Sequence, residues 1–217
     1  MNIYNRRFNQ EDDEEIPAAL PENPMEKLMS GWMFDKKFIE QRKIFLWSAI
    51  DDKSAKDITD RLLYLEALDP GKEITFYINS PGGIVSSGMV VYDAMQMISS
   101  PVSTVCMGMA ASMASILLSG GTKGHRYIFP HAEVMIHQPS GGGRGTSADL
   151  EIMAEQIRKT KLLGAEILAE NCGQPVEKVL KDFNRDYWMD AKESIEYGIV
   201  DHVMDKIQFK TPETKTK

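Results

Sequence analysis

The chain has 217 residues and a formal net charge of −7, with 42% hydrophobic and 26% charged residues. This length and composition predict one globular domain with a substantial core. The acidic balance disfavours nucleic-acid binding, which needs a clustered basic face.

The chain contains two cysteines, Cys106 and Cys172. Two cysteines do not supply a disulfide framework of the kind that stabilises small secreted domains, so both are expected to be reduced thiols. No apolar run approaches the ~20 residues that span a bilayer. The N-terminal sequence MNIYNRRFNQEDDEEIP lacks the apolar core of a secretory signal. A cytoplasmic protein without membrane association is the expectation.

The two ends of the chain differ from its middle. Residues 1–25 are polar and acidic, with EDDEE at 11–15 and three prolines. Such a stretch buries too little apolar surface to offset its ordering entropy, which predicts a flexible segment. A gating or docking segment is the alternative. Residues 207–217 predict a second tail, which leaves residues 26–206 as the folded domain.

Between these ends, short apolar runs alternate with helical patterns. The helix that ends at Tyr197 is framed by a capping box at Asp190 and Glu193 and by Gly198. The alternation predicts an α/β fold, and the near-continuously apolar strands predict a sheet covered on both faces. Strands are predicted at 43–47, 73–79, 102–108 and within HRYIF and EVMIH, and helices at 53–68, 86–98, 110–121 and 147–171.

The segment INSPGG follows the strand at 73–79. Pro81 fixes its own φ, while Gly82 and Gly83 let the backbone turn with its amides exposed. Such a nest of N–H donors binds an oxyanion. A plain strand-to-helix turn is the simpler interpretation.

Ser112, in GMAASMAS, stands where an apolar strand gives way to a helical pattern. Its alanine neighbours leave room for a substrate carbonyl, and amides at a helix N-terminus favour negative charge. A serine at this position is more often a helix cap.

A serine hydroxyl needs a neighbouring base to act as a nucleophile. His137, which ends a strand just before Pro139, is the candidate base. A metal site of His131, Glu133 and His137 is an alternative, although it lacks the H-E-x-x-H spacing. Asp186 is one of many carboxylates that could orient the imidazole, and spacing alone does not select it.

Four segments, taken together, resemble the proteolytic subunits of the Clp protease family in order and in spacing. They are YINSPGG (77–83), STVCMGMAASMASILLSGG (103–121), VMIHQPSGG (134–142) and RDYWMDAKESIEYGIVD (185–201). The resemblance covers roughly residues 35–204. It implies the α/β spiral of repeated β-β-α units that this family shares with crotonases. Residues 138–171 would form a projecting handle.

The resemblance also implies roles for single residues. Ser112 would be the nucleophile, His137 the general base and Asp186 the group that orients the imidazole. Backbone amides of Gly82 or Gly83, together with Met113, would form the oxyanion hole. An extended peptide substrate would add as a strand beside Ile84, Val85, Gln138, Pro139 and Gly141.

The family assembles as two stacked seven-membered rings that receive unfolded polypeptides from an ATP-driven Clp unfoldase of the ClpX, ClpA or ClpC type. Tyr77 and Met97 would lie in the docking pockets, with ordinary core positions as the alternative, and Arg185 would contact the opposite ring. The partner would use the ATP, because this chain lacks the G-x-x-x-x-G-K-[ST] loop, so no cofactor is expected. Asn184, where the family often has an acid, predicts a weaker contact between rings.

Two rival functions follow from the same residues. An enoyl-CoA hydratase-like enzyme would share the fold and the paired amides but would use glutamates for acid–base chemistry. A non-catalytic ring subunit would scaffold active partners. Such a subunit usually loses a triad residue, whereas Ser112, His137 and Asp186 are all present here.

Overall fold

A computed structural model describes residues 33–207. The chain divides into two compact units, residues 1–36 and residues 37–217, and the elements named below belong to the second. The predicted flexible segment 1–25 lies outside the described residues, as does the predicted tail except for Ile207. The domain boundaries therefore stay predictions.

Strands and helices alternate along the second unit, and the predicted α/β class is confirmed. The strands are β1 (Lys43–Leu46), β2 (Ile74–Ser80), β3 (Val102–Ala111), β4 (Arg126–Ile128), β5 (Glu133–Ile136), β6 (Tyr187–Met189) and β7 (His202–Val203). The helices are α1 (Asp52–Leu68), α2 (Val85–Met97), α3 (Met113–Ser119), α4 (Ser147–Cys172), α5 (Val176–Asp182) and α6 (Ala191–Tyr197). The short elements α5, β6 and β7 were not predicted.

Within the described residues the strands form one mostly parallel sheet in the order β1-β2-β3-β4-β7. Strand β5 pairs in parallel with β3, and β6 pairs with β5 in the antiparallel direction. Parallel sheets require both faces to be covered. Accordingly, Phe76 and Ile78 of β2 are buried, and every residue of α3 is also buried. Full burial of a phenylalanine or isoleucine side chain stabilises the fold by roughly 1.5–3 kcal/mol.

Strand β3 changes its partner along its length. Its first half pairs with β4 at Thr104–Cys106, and its last residues, Met109–Ala111, pair with β5. Pro130, which has no N–H to donate, separates β4 from β5. The pairing with β5 keeps Ala110 and Ala111 in the strand, so the prediction of a helix from residue 110 is wrong by three residues.

Helix α4 begins at a capping box of Thr146 and Asp149 and ends before Gly173, whose φ is +67°. Its buried residues all lie in its C-terminal half, from Gly164 onward. In the first half, Ile152 is 71% exposed and lacks a covering partner within the described residues. The glycine-rich segment 140–145 before the helix contains no strand. A long helix that leaves Leu150 and Ile152 exposed in its first half is suited to contacting another chain.

Candidate active site

The candidate site lies at one edge of the sheet. Parallel strands β2, β3 and β5 end there, so Gly83, Ser112 and His137 follow three neighbouring strand ends. Strand β6 runs the other way, and its first residue, Tyr187, pairs with Ile136. Asp186 therefore lies beside His137, although 49 residues separate them in the sequence.

Ser112 has a strained backbone between β3 and α3. Its φ is +54° and its ψ is −126°, a conformation that non-glycine residues rarely adopt and that costs about 1–3 kcal/mol. Its N–H donates to the Met135 carbonyl at 2.8 Å. The Ser112 side chain makes no capping hydrogen bond to α3. Ser112 therefore does not cap the helix with its side chain, although capping is the commoner role of a serine at this position.

The Ser112 hydroxyl instead contacts His137. Ser112 Oγ lies 2.8 Å from His137 Nε2, and His137 Nδ1 lies 3.0 Å from Asp186 Oδ1. A carboxylate only accepts hydrogen bonds, so Nδ1 carries the proton and Nε2 is left to accept from the serine hydroxyl. The side chain of His137 is 26% exposed and that of Asp186 is 63% exposed. The imidazole thus bridges a hydroxyl and a carboxylate.

The two glycines after β2 differ in their hydrogen bonding. The N–H of Gly82 donates to Ser80 Oγ at 3.1 Å. A Cβ on Gly82 would lie 2.7 Å from the Ser112 Cβ, so only glycine fits against that turn. Gly83 is exposed, and its N–H donates to no acceptor within residues 33–207. Of the two glycines, Gly83 therefore has the amide that is available to a ligand.

A cavity of about 30 Å³ opens beside Ser112 and His137. Val85 and Pro139, two of the predicted substrate-binding residues, line it. Its other lining residues are mostly apolar: Met89, Met113, Ile116, Thr160, Gly164 and Phe183. This lining suits an apolar side chain more than a charged one, because an unpaired charge there would lose its hydration.

The other predicted substrate-binding residues lie outside this cavity. Ile84 donates its N–H to the Ile50 carbonyl, and Gln138 donates its N–H to the Phe183 carbonyl at 2.6 Å. Neither N–H is available to pair with an added strand. Gly141 packs near Ile157 of α4. If a peptide adds as a strand at Ile84 or Gln138, the amide N–H groups of these residues do not take part.

The remaining predicted residues lie away from this edge or on the surface. Tyr77 is buried, stacks on Phe45 at 5.0 Å between ring centroids, and lines a cavity of about 770 Å³. Met97 is 85% exposed and does not line that cavity. Arg185 is exposed and forms no ion pair within the described residues.

Other reactive side chains are not arranged for chemistry. Among residues 33–207, His131, Glu133 and His137 do not form a metal-ligand cluster. Cys106 and Cys172 are free and buried, and burial raises the pKa of each thiol to about 12. Neither thiol is a nucleophile at neutral pH, because the thiolate is the reactive form.

Sequence comparison identifies the family. A model of the Clp protease family matches residues 30–207. The chain belongs to the Clp protease family. It is similar to proteins of Porphyromonas gingivalis and Bacteroides fragilis, each 51% identical over 170 residues. These matches cover 78% of this chain and 77% and 82% of the two relatives, and both relatives are named ATP-dependent Clp protease proteolytic subunit.

Membership of the Clp protease family confirms the predicted serine endopeptidase activity and excludes the hydratase-like rival. No helix in the described part of the chain is long and apolar enough to cross a membrane.

The sequence analysis missed Ser80, which is fully buried and accepts the Gly82 N–H. The signal was present, because a serine two residues before a glycine in a turn commonly accepts that backbone N–H. Ser80 holds the turn that presents Gly83.

Proposed function

We propose that Ser112, His137 and Asp186 are the catalytic residues of this serine endopeptidase. The observation that carries the proposal is the continuous hydrogen-bonded line through His137, with 2.8 Å to Ser112 Oγ and 3.0 Å to Asp186 Oδ1. Removing the proton of a serine hydroxyl as it attacks requires a base in this position. Asp186 fixes the tautomer of the imidazole and stabilises the imidazolium that forms.

The proposed reaction has two halves. Ser112 Oγ attacks the scissile carbonyl carbon while His137 Nε2 takes the hydroxyl proton. The tetrahedral intermediate then collapses, the C–N bond breaks, and the imidazolium gives its proton to the leaving amine. In the second half, His137 takes a proton from the water that attacks the acyl-enzyme. The bond between the acyl carbon and Ser112 Oγ then breaks, the imidazolium returns the proton to Oγ, and the acid is released.

The N–H groups of Gly83 and Met113 are proposed to bind the developing oxyanion. Gly83 is favoured over Gly82 because the Gly82 N–H already donates to Ser80. Met113 is the first residue of α3, so its N–H has no partner within that helix. Losing one such donor typically costs about 3 kcal/mol of transition-state stabilisation.

Covalent labelling tests the nucleophile. Purified full-length protein should react with a fluorophosphonate probe at Ser112, and Ser112→Ala should abolish both labelling and hydrolysis of a short fluorogenic peptide. A matched control, Ser48→Ala, changes an exposed serine on the same chain and should keep both. Labelling of Ser112→Ala at another serine, or undiminished hydrolysis by it, contradicts the proposal. A wild-type protein that neither labels nor hydrolyses supports the non-catalytic ring subunit.

We further propose that the chain works as a homo-oligomer of two stacked seven-membered rings, supplied with unfolded protein by an ATP-driven Clp unfoldase in the cytoplasm. The exposed Leu150 and Ile152 of α4 support a contact between subunits. The exposed guanidinium of Arg185, which forms no ion pair within residues 33–207, supports a contact between rings. The chain itself would need no cofactor. Sizing by light scattering tests the assembly, and a particle of fewer than fourteen subunits would contradict it.

The docking surface for that unfoldase is proposed to include Met97 and the cavity at Tyr77. Met97 carries the stronger support, because an 85% exposed apolar side chain lacks a partner within the described residues. Met97→Glu should weaken stimulation of protein degradation by the unfoldase while leaving hydrolysis of short peptides unchanged. Equal loss of both activities would place Met97 in the fold or the assembly instead.

A further inference from the structure

A glycine lies where helix α4 passes the cavity beside Ser112. Gly164 is buried within the 26-residue helix and lines the cavity with Ile116 and Phe183. A glycine in a helix interior costs roughly 1 kcal/mol relative to alanine, because it loses more backbone freedom on folding. Its presence at a buried helical position therefore calls for a reason specific to that place.

Packing does not require this glycine. A Cβ at position 164 would lie 3.5 Å from Phe183 Cζ and 3.6 Å from Ile116 Cδ1, which are ordinary contact distances. Gly88 in α2 shows the opposite situation, since a Cβ there would lie 2.3 Å from the Met113 side chain. A side chain at Gly88 would force Met113 to move, whereas the fold has room for one at Gly164.

The space left at Gly164 belongs to the cavity. Ile116 and Phe183, the two residues that a Cβ would contact, both line it, and Thr160 lies one helical turn before Gly164 on the same side. The cavity is small, at about 30 Å³. In so small a space, a single methyl group removes a large share of the room.

We propose that Gly164 sets the depth of the pocket that receives the side chain of the residue contributing the scissile carbonyl. The inference rests on the proposed role of Ser112, because a pocket beside the nucleophile holds that side chain. The mostly apolar walls select apolar residues, and once the pocket widens, the depth left by glycine admits large ones such as leucine and phenylalanine. Met89 and Met113 are unbranched and flexible, so the pocket widens when they shift.

Fluorogenic peptides that differ only in their last residue, alanine, leucine or phenylalanine, test the proposal on the assembled full-length protein. Gly164→Ala should lower kcat/KM for the leucine and phenylalanine peptides by about tenfold or more, the typical effect of one methylene in an apolar pocket. The alanine peptide should stay within about twofold, because its side chain does not reach position 164. Gly164→Leu should deepen the loss for the phenylalanine peptide.

Glu166→Ala is the matched control, because Glu166 is exposed on the same helix and should leave all three peptides unchanged. Thermal unfolding and sizing check the fold, and Gly164→Ala should unfold at an equal or higher temperature. An unchanged ratio of phenylalanine to alanine hydrolysis in Gly164→Ala overturns the inference but leaves the triad intact. Equal loss on all peptides also overturns it, since position 164 would then act through the fold. If the wild-type protein neither hydrolysed peptides nor reacted with the probe, both the role of Gly164 and the proposed role of Ser112 would be contradicted.

Discussion

Residues 33–207 contain two clusters of a serine, a histidine and a carboxylate, and the two differ in the partners of the imidazole. At the sheet edge, the two ring nitrogens of His137 face different partners, Ser112 and Asp186. In the second cluster, Ser103 Oγ and Glu73 Oε1 both face the same nitrogen of His125, Nδ1, at 3.4 Å and 2.9 Å. Ser103 also donates its hydroxyl hydrogen directly to Glu73.

The difference shows that a serine, a histidine and a carboxylate lying close together do not by themselves form a catalytic triad. In the second cluster the carboxylate accepts the hydrogen bond of the serine hydroxyl, and the imidazole does not lie between the two. Ser103 also lies within β3, paired with Thr75 of β2, where it is 4% exposed. Ser112 lies where a strand turns into a helix, with a strained backbone and a cavity beside it. A position at a strand end leaves the Ser112 hydroxyl open to a substrate, as its proposed role requires.

Replacing each of the two serines by alanine gives the largest expected difference in kcat. Ser112→Ala should lower kcat for peptide hydrolysis by about a million-fold, the loss typical of removing a triad serine. Ser103→Ala should stay within about twofold of wild type, because no reacting group depends on its hydroxyl. Steady-state hydrolysis of one fluorogenic peptide by both variants measures the contrast. A comparable loss in the two variants would remove the distinction between the clusters.

Variants of the two carboxylates, Asp186 and Glu73, should differ less in kcat than the two serine variants. Asp186→Asn should lower kcat by about 10³- to 10⁴-fold, because the amide favours the wrong tautomer of His137. Since the side chain of Asp186 is 63% exposed, water at the site offsets part of its loss. Glu73→Gln is the control and should change kcat by less than about twofold. If Asp186→Asn retained wild-type kcat, another group would have to orient the imidazole.

Much of the fold follows from the sequence, because local chemistry determines it. The capping box of Asp190 and Glu193 and the left-handed Gly198 lie where the pattern predicted them. Helix α2 agrees with its prediction to within one residue at each end. These features depend on side chains within a few positions of one another.

The rest of the site depends on pairing between distant segments. Asp186 could not be selected by spacing, since it reaches His137 only because β6 pairs antiparallel with β5. Only the family resemblance singled it out. The choice of Gly83 over Gly82 depends on the hydrogen bond from Gly82 to Ser80, and the length of β3 depends on its second partner, β5. Neither pattern is visible in a short window of sequence.

Replacing Ser80 should lower kcat by less than replacing Ser112 or Asp186. Ser80→Ala leaves the buried Gly82 N–H without its acceptor and should loosen the turn that presents Gly83. An unsatisfied buried donor costs roughly 1–3 kcal/mol, so we expect kcat to fall about tenfold or more. KM should change little, because the oxyanion forms only in the transition state. A rise in KM at constant kcat would instead assign Ser80 to substrate binding.

The smallest expected effect concerns the second histidine. The His125 and Glu73 side chains are 46% and 49% exposed, and a contact so open to water is worth about 0–1 kcal/mol. His125→Ala should therefore lower the free energy of unfolding by less than about 1 kcal/mol and leave kcat/KM within about twofold. His137→Ala should do the reverse, with little change in urea unfolding and near-complete loss of hydrolysis, because its imidazole is needed in the reaction and not in the core. If His125→Ala also abolished hydrolysis while sizing showed an intact assembly, the two clusters would be coupled. The arrangement around each imidazole would then not account for the different roles proposed for them.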